Sequence, residues 1–182
     1  MTNRRGVGIL ALGCAMAPFW LRADVVDSSA GGFVVKETIT IQAAPQEVYK
    51  RIFRVGEWWS PQHTFSGDAH NLTIDDRPMG CWCEKLTTGG ARHMEVVLAA
   101  KGKALVLSGG MGPLQSMAVT GAMSFDFTPD KGGTKLDLTY AVGGYLAAGL
   151  NTLAGPVDGV LTAQMGRLKN FVELGRAEPP GQ

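Results

Sequence analysis

Residues 155–175 read GPVDGVLTAQMGRLKNFVELG, and this stretch decides which fold the rest of the sequence favours. Apolar side chains recur there at spacings of three and four, which places them on one face of an α-helix. They are Val157, Val160, Leu161, Met165, Leu168, Phe171 and Val172. Gly155 before Pro156 predicts the start of the helix, and Gly175 predicts its end. Gln164 is the one polar residue in the stripe, and it either lines a cavity or hydrogen-bonds a strand end.

The chain before this helix has the alternation of an antiparallel sheet. Residues 33–42 alternate apolar and polar side chains and are rich in β-branched residues, which predicts a strand. A short helix at residues 44–53 and a helical turn near residues 56–61 are predicted next. Six further strands are predicted at residues 72–75, 81–86, 92–100, 103–108, 119–128 and 134–142. A run of hairpins indicates a sheet with one apolar face, and the C-terminal helix is its natural cover.

The first 23 residues have the pattern of a secretory signal peptide. Arg4 and Arg5 precede an uncharged run, and Ala23 offers a small residue for cleavage before Asp24. The run is shorter than the roughly 20 residues that span a bilayer, which disfavours a membrane anchor. Cys14 is a weaker candidate for a lipoprotein acylation site. The mature protein is therefore expected in the periplasm or outside the cell.

Removal of this leader changes the charge balance. The full chain has 17 basic and 16 acidic residues, and the leader holds three arginines and no acid, so the mature chain has 14 and 16. A slightly acidic chain disfavours a nucleic-acid partner, for which a basic stripe is expected. Residues 24–32 are predicted to be a polar linker, residues 33–175 one domain, and residues 176–182 a disordered tail.

Several short motifs, taken in their order along the chain, resemble the START-like superfamily, also called SRPBCC. This group includes polyketide cyclase/dehydrase and lipid-transport proteins and relatives of the Hsp90 ATPase activator. The motifs are TITIQAAP at residues 38–45 followed by Glu47-Val48-Tyr49, the Trp58-Trp59 pair, GCWCE at residues 80–84, GTKL at residues 133–136 and the long C-terminal helix.

The resemblance implies an α+β helix-grip fold with a deep apolar cavity. In this fold a curved antiparallel sheet of about six to seven strands wraps the C-terminal helix, and two short helices follow the first strand. The same fold serves carriers, sensors, cyclases and co-chaperones, so it implies no single activity. It also carries no shared catalytic motif, so the resemblance names no catalytic residue.

No cofactor or metal is expected from the sequence. The chain has no Gly-rich phosphate loop with its lysine, no G-x-S-x-G elbow and no H-E-x-x-H motif. Cys81 and Cys83 lie two apart on a predicted strand, which places both thiols on one face about 7 Å apart, too far for an easy disulfide. We expect them to be unbonded, either as half-buried core residues or as a thiolate or soft-metal site. A structural zinc site would need two further ligands.

Three residues are candidate polar groups of the cavity besides these cysteines. Glu37 lies on the apolar face of the first strand, either at a solvated end of the core or as a partly buried carboxylate with a raised pKa. Glu84 and His93 are expected to pair across the hairpin around Gly89. The apolar set on the second strand of the hairpin favours an outward pair at the surface, whereas a slip of one residue would turn Glu84 into the cavity. His63 and His70 are expected in a solvated loop.

The mouth of the cavity is predicted to combine large apolar side chains with flexible backbone. Trp58 and Trp59 are expected on one side, and residues 108–117, which contain Met111, Leu114 and Met117, on the other. Val160, Gln164 and Leu168 are expected to form the floor. Alternatively, the aromatic and methionine residues plug the core.

Two functions are consistent with this pattern, and binding is favoured over catalysis. In the first, the protein is an exported carrier or sensor for an apolar or amphipathic molecule, lipid-like or polyketide-like. In the second, it is an enzyme of the cyclase or dehydratase kind whose cavity supplies a general acid and base. A co-chaperone-like interaction protein is a third alternative, and it conflicts with the leader.

Overall fold

The computed structural model describes residues 22–178, which form one antiparallel sheet and a long C-terminal helix packed against it. The strands are β1 (Arg22–Ser29), β2 (Gly32–Ile41), β3 (Leu72–Ile74), β4 (Cys81–Leu86), β5 (Gly89–Ala100), β6 (Ala104–Ser108), β7 (Ala118–Asp130) and β8 (Gly133–Tyr145). The helices are α1 (Pro45–Ile52), α2 (Val55–Trp58) and α3 (Asn151–Leu174), with 3-10 turns at Pro61–His63, Ala69–Asn71 and Gly112–Ser116. The strand order is β1-β2-β8-β7-β6-β5-β4-β3, and every neighbouring pair is antiparallel. The predicted helix-grip fold is confirmed, with eight strands among the described residues instead of about six to seven.

Strand β1 occupies the segment for which the sequence pattern indicates a polar linker. It pairs with β2 through contacts such as Asp24 opposite Lys36 and Val25 opposite Val35. The register shifts between Val25 and Asp27, so Val26 interrupts the period-two alternation that identifies a strand. An edge strand of this kind also exposes its side chains, which explains its polar composition.

Helix α3 begins at Asn151, five residues before Pro156, its predicted first helical residue. Pro156 therefore lies inside the helix, and the prediction that it opens the helix is wrong. The true first turn is stabilised by Leu150, which is fully buried, and by the Thr152 hydroxyl group, which donates to the Gly149 carbonyl oxygen at 2.7 Å. The predicted end is confirmed. Gly175 adopts a left-handed conformation with φ of 74°, and its N–H donates to the Phe171 carbonyl oxygen.

The chain after α3 folds back on the helix instead of leaving it at once. Asn170 Nδ2 donates to the Ala177 carbonyl oxygen at 3.1 Å, and Arg167 pairs with Glu178. Ala177 is buried. Residues 176–178 are therefore ordered where the sequence indicates a disordered tail, because polar side chains on the last turns of α3 bind them.

The two ends of the chain lie outside the described range. Of the predicted signal peptide, only Arg22 and Ala23 are described, so the leader and Cys14 stay predictions. Residues 179–182 also fall outside the described residues. Within residues 22–178, no helix combines the length and the apolar character needed to cross a bilayer.

Candidate ligand cavity

A cavity of about 370 Å³ lies between the sheet, the first half of α3 and two loops. One loop is the segment from the Pro61–His63 turn to Phe65, and the other contains the Gly112–Ser116 turn. Most of the wall is apolar. The lining residues are Trp59, Gln62, His63, Thr64, Phe65, His93, Met111, Gly112, Pro113, Leu114, Met117, Tyr140, Leu153, Pro156, Val157, Val160 and Leu161.

Among the described residues, those that line the cavity include no Asp, Glu, Lys or Arg. Two stretches that contribute to the wall, residues 104–125 and residues 138–157, contain no charged residue at all. The cavity is therefore an uncharged space whose polar groups are few and individually identifiable. This composition is typical of sites for apolar small molecules.

Five of the eight residues predicted to contact ligand line this cavity, and three do not. Trp59, Met111, Leu114, Met117 and Val160 are in the wall. Trp58 lies behind the wall, because its Nε1 donates to the Ile52 carbonyl oxygen at 3.1 Å and draws the ring under α1. Gln164 and Leu168 lie farther along α3, toward the end of the sheet that α1 and α2 close. They are core residues and not the cavity floor.

Gln164 connects α3 to the segment after α2, and neither of its two predicted roles is observed. Its Oε1 accepts from the Ser60 backbone N–H at 2.8 Å, so it bonds a loop and not a strand end. Arg167 on the next turn donates to the Trp58 carbonyl oxygen at 2.8 Å. These two contacts hold the Trp58-Trp59 segment against α3 and so position Trp59 at the cavity.

Three tryptophans pack together beside the cavity, and one of them, Trp59, belongs to its wall. The ring of Trp59 lies 5.5 Å from that of Trp58 and 5.1 Å from that of Trp82, both in edge-to-face arrangements. Trp59 Nε1 donates to the His63 carbonyl oxygen at 2.9 Å, which fixes the loop that follows. Only Trp59 faces the cavity, and the other two rings support it from behind.

Tyr140 on β8 fastens the second loop to the sheet. Its hydroxyl group donates to the Gly109 carbonyl oxygen at 3.1 Å and accepts from the Met111 N–H at 3.0 Å. Burial raises the pKa of Tyr140, against a smaller opposing effect of the Met111 N–H, so the phenol stays neutral. Gly109 has φ of +147°, a conformation that favours glycine. The hydroxyl group is satisfied by these two bonds and is not an open ligand contact.

Glu84 and His93 pair as predicted, but the expected outward orientation is wrong. His93 Nε2 lies 2.9 Å from Glu84 Oε2, and both side chains are buried. The reason is a β-bulge. Trp82 faces Met94 and Cys83 faces Arg92, which leaves His93 as an extra residue on β5. Two successive residues, His93 and Met94, can then both point inward.

Backbone groups hold Glu84 in its ionised form. The Phe65 N–H donates to Oε2 at 3.0 Å and the Ser66 N–H donates to Oε1 at 2.5 Å. Burial alone would raise the pKa of Glu84, but the hydrogen bonds from Ser66, Phe65 and His93 together outweigh it and lower the pKa. A buried carboxylate thus lies behind the wall, bonded to the imidazole that reaches the cavity.

The other nitrogen of His93 is bonded to the second loop. Gln115 Nε2 lies 3.2 Å from His93 Nδ1, although the Gln115 side chain is otherwise exposed. The ring of Phe65 lies 5.4 Å from the imidazole, with 32° between the planes. Gln115 lies within residues 108–117, the predicted mouth segment, although no pattern singled out its side chain, and Phe65 and Tyr140 were not predicted as parts of the site. Of the remaining histidines, His63 lies at the mouth and His70 bonds Asp68 away from it.

Cys81 and Cys83 are bonded to each other, so the expectation that they are not is wrong. Their Cα atoms are 5.3 Å apart, within the range that a disulfide can bridge and well below the spacing of a regular strand. The strand is irregular here because the β-bulge lies at this step. The cysteines alternate with the inward-facing Trp82 and Glu84, so they are not cavity groups, and the bond leaves no thiolate for a soft metal.

Glu37 is a buried carboxylate with a raised pKa and does not lie at a solvated end of the core, which was the other interpretation of the sequence. It lies between β2 and α3 and does not line the cavity. The Thr162 hydroxyl group donates to its Oε1 at 2.7 Å. Burial raises the pKa of Glu37 to about 7, the Thr162 bond lowers it by less, and Asp158 and Asp24 add to the rise. Burial also raises the pKa of Asp158.

Comparison with known proteins identifies a family model that matches residues 33–173, described as polyketide cyclase / dehydrase and lipid transport. No curated protein matches the sequence. Three of the similar solved structures are a conserved protein of unknown function from Enterococcus faecalis, CalU16 from Micromonospora echinospora and the Aha1 dimer from Colwellia psychrerythraea.

The Enterococcus protein is 16% identical with a TM-score of 0.59, and the match covers 89% of this chain and 82% of that one. CalU16 is 13% identical with a TM-score of 0.54, and the match covers 82% of this chain and 78% of that one. The Aha1 structure is 14% identical with a TM-score of 0.51, and the match covers 78% of this chain and 97% of that one. At these identities the likeness concerns the fold alone.

Proposed function

The chain belongs to the polyketide cyclase/dehydrase and lipid-transport family, and on that premise we propose that it binds an apolar or amphipathic small molecule, lipid-like or polyketide-like, in the cavity between the sheet and α3. The observation that carries the proposal is the cavity itself, with about 370 Å³ bordered by a wall that is mostly apolar. Ligand sites in proteins have volumes of roughly 300 to 1,000 Å³.

The composition of the mouth supports a ligand of adaptable shape. Met111 and Met117 are only half-buried, and methionine side chains rearrange easily around different partners. Gly112, between them, has φ of +57° and open space where a side chain would be. A movement of this loop would have to break the two hydrogen bonds of Tyr140 and the Gln115–His93 bond and to shift Leu114, which is buried. Adaptation to a ligand is therefore expected first from the methionine side chains.

A neutral environment-sensitive dye such as Nile red is expected to bind and to change the tryptophan fluorescence. Burial of a large side chain against a ligand contributes about 1.5–3 kcal/mol, so Trp59→Ala and Met111→Ala should each weaken binding by about ten- to a hundredfold. Val97→Ala, at an exposed residue outside the cavity wall, is the matched control and should bind as the wild type does.

Two results of the dye titration would contradict the proposal. One is a folded wild-type protein that does not bind the dye. The other is unchanged affinity in both Trp59→Ala and Met111→Ala, which would mean that these residues fill the core and do not contact ligand.

A cyclase or dehydratase activity is the second candidate function, and the Glu84–His93 pair favours it. A buried carboxylate bonded to an imidazole at a cavity wall is an arrangement that can move protons to and from a bound ligand. If this candidate is correct, a linear poly-β-ketone should cyclise or lose water faster with the protein than without it, and His93→Gln should abolish the difference while leaving dye binding intact.

We also propose that the protein is exported and that the mature chain begins near Asp24. The Cys81–Cys83 disulfide supports this, since such bonds are typical of oxidising compartments. Cleavage there would leave most of β1 paired with β2.

N-terminal sequencing of the periplasmic or secreted fraction should find Asp24 or a neighbouring residue at the N-terminus. A lipid-modified Cys14 or a cytoplasmic species starting at Met1 would refute the export proposal. A cytoplasmic location would restore the co-chaperone-like alternative.

A further inference from the structure

We propose that His93 is the polar anchor of the cavity and that its ligand carries an acidic hydroxyl group, of a phenol, an enol or a carboxylic acid, which displaces Gln115 and donates to Nδ1. The inference rests on the proposed binding function and specifies which end of an amphipathic ligand is held, and by which atom.

Of the other polar residues that line the cavity, Gln62 and His63 are exposed at its mouth, and Tyr140, Trp59 and Thr64 are engaged within the protein. The Tyr140 hydroxyl group makes two bonds to backbone groups of the second loop. Trp59 Nε1 donates to the His63 carbonyl oxygen, and the Thr64 hydroxyl group donates to the Pro61 carbonyl oxygen at 2.8 Å. A ligand would have to break a contact within the fold to reach any of these. His93 differs, because one of its two partners is a side chain that solvent can replace.

Glu84 determines which nitrogen of His93 is free to accept. The carboxylate is an acceptor only, so His93 Nε2 must carry the proton that lies between them. In the neutral imidazole Nδ1 then has a lone pair, and it accepts from the Gln115 amide group. A carboxylate bonded to one nitrogen also makes the other a better acceptor. The ligand group that suits Nδ1 is therefore a strong hydrogen-bond donor and not a carbonyl or an ether.

Gln115 is the partner that can leave. Its bond to Nδ1 is long at 3.2 Å, its side chain is exposed, and it lies on the 3-10 turn at Gly112–Ser116 that borders the mouth. When a ligand hydroxyl group takes Nδ1, the Gln115 amide group bonds water at little cost. The Phe65 ring lies 5.4 Å from the imidazole ring, so an apolar surface borders the polar anchor.

Matched probe pairs test the inference directly. The first pair is 2-naphthol and 2-methoxynaphthalene, in which a methyl group replaces the hydroxyl hydrogen. The second is decanoic acid, which is ionised at neutral pH and can bond Nδ1 only with uptake of one proton, and its methyl ester. Binding is measured by calorimetry and by tryptophan fluorescence. We expect at least one hydroxyl probe to bind about five- to tenfold more tightly than its methylated partner, since an unmatched acceptor loses its bond. The pair that shows the difference distinguishes a phenol-type from a carboxylic-acid ligand.

Two variants locate the preference at His93 Nδ1. Gln115→Ala removes the competing donor, so the hydroxyl probe should bind several-fold more tightly while the methylated probe is unchanged. His93→Phe should bring the two affinities together. His70→Phe, at an exposed histidine outside the cavity, should keep the wild-type ratio. Because Gln115 is a surface side chain, its variant decides the question even if His93→Phe does not fold.

The inference is overturned if both members of each pair bind wild-type protein equally well, or if Gln115→Ala leaves the preference unchanged. A folded His93→Phe that keeps the wild-type preference overturns it as well. None of these results contradicts the proposed binding function. That function is contradicted only if none of the four probes and no dye binds the protein.

Discussion

Trp58→Ala is expected to lower the free energy of unfolding by about 3–5 kcal/mol, the usual cost of removing a buried tryptophan. The ring is only 1% exposed, and its Nε1 is bonded to the Ile52 carbonyl oxygen. The substitution leaves a cavity among α1, α2 and α3 and an unpaired carbonyl group. Urea denaturation followed by circular dichroism measures the loss.

The matched control for this prediction is Tyr145→Ala, an aromatic residue that is 72% exposed and should change stability by less than about 0.5 kcal/mol. Trp59, which follows Trp58 in the chain, differs from it, because Trp59→Ala should affect ligand binding as well as stability. A loss below about 1 kcal/mol in Trp58→Ala would mean that the ring is not part of the packed core.

Glu37→Gln is expected to stabilise the protein at pH 8 and to remove much of its stability change between about pH 4.5 and 7. In the folded chain the pKa of Glu37 is about 7, and its ordinary value is 4.5. Between these values the folded state binds more protons than the unfolded state, so stability falls as pH rises. The stabilisation by protonated Glu37 is complete below pH 4.5 and lost above about pH 7. A pKa displacement of this size corresponds to about 3 kcal/mol.

The geometry around Glu37 explains why an amide group should fit. Glu37 Oε2 and Asp158 Oδ1 are buried oxygens without a hydrogen-bond donor, and the two carboxyl groups can bond each other only through a shared proton. Asp24 on β1 adds a third negative charge, and Thr162 on α3 donates to Oε1. A glutamine at position 37 can keep the Thr162 bond and donate to Asp158 without a proton from solution.

Thermal or urea denaturation from pH 4 to pH 8, on wild type and Glu37→Gln in parallel, checks this prediction. Thr162→Val is a useful companion, because it removes the bond that lowers the pKa of Glu37 and should steepen the loss of stability with pH. Equal pH profiles for wild type and Glu37→Gln would show that Glu37 titrates normally in the folded chain.

Most of the fold could be predicted because its elements follow simple periods. The apolar stripe of α3 has helical spacing and ends at a glycine, and residues 33–42 alternate with period two, as observed in β2. The start of α3 was missed because Pro156 is a strong start signal, whereas the actual first turn depends on burial of Leu150. Strand β1 was missed because its bulge at Val26 breaks the alternation.

The candidate site was harder to predict because it depends on two features that have no local signal. The first is the bulge that turns His93 inward, since a residue count along β4 and β5 assumes regular pairing. The second is the direction of adjacent side chains. Trp58 and Trp59 have the same chemistry, but at the end of a four-residue helix one packs under α1 and the other faces the cavity. Sequence spacing alone does not distinguish them.

The uncharged wall and mouth of the cavity also affect how fast a ligand enters. Clefts with charges of one sign attract oppositely charged molecules over long distances and raise association rates by orders of magnitude. Here the wall residues among those described include no Asp, Glu, Lys or Arg, so the wall itself supplies no such attraction. Entry then depends on chance encounter, loss of water from apolar surfaces and opening of the Met111 segment. Selection among ligands consequently occurs after entry, through the residence time of each bound molecule.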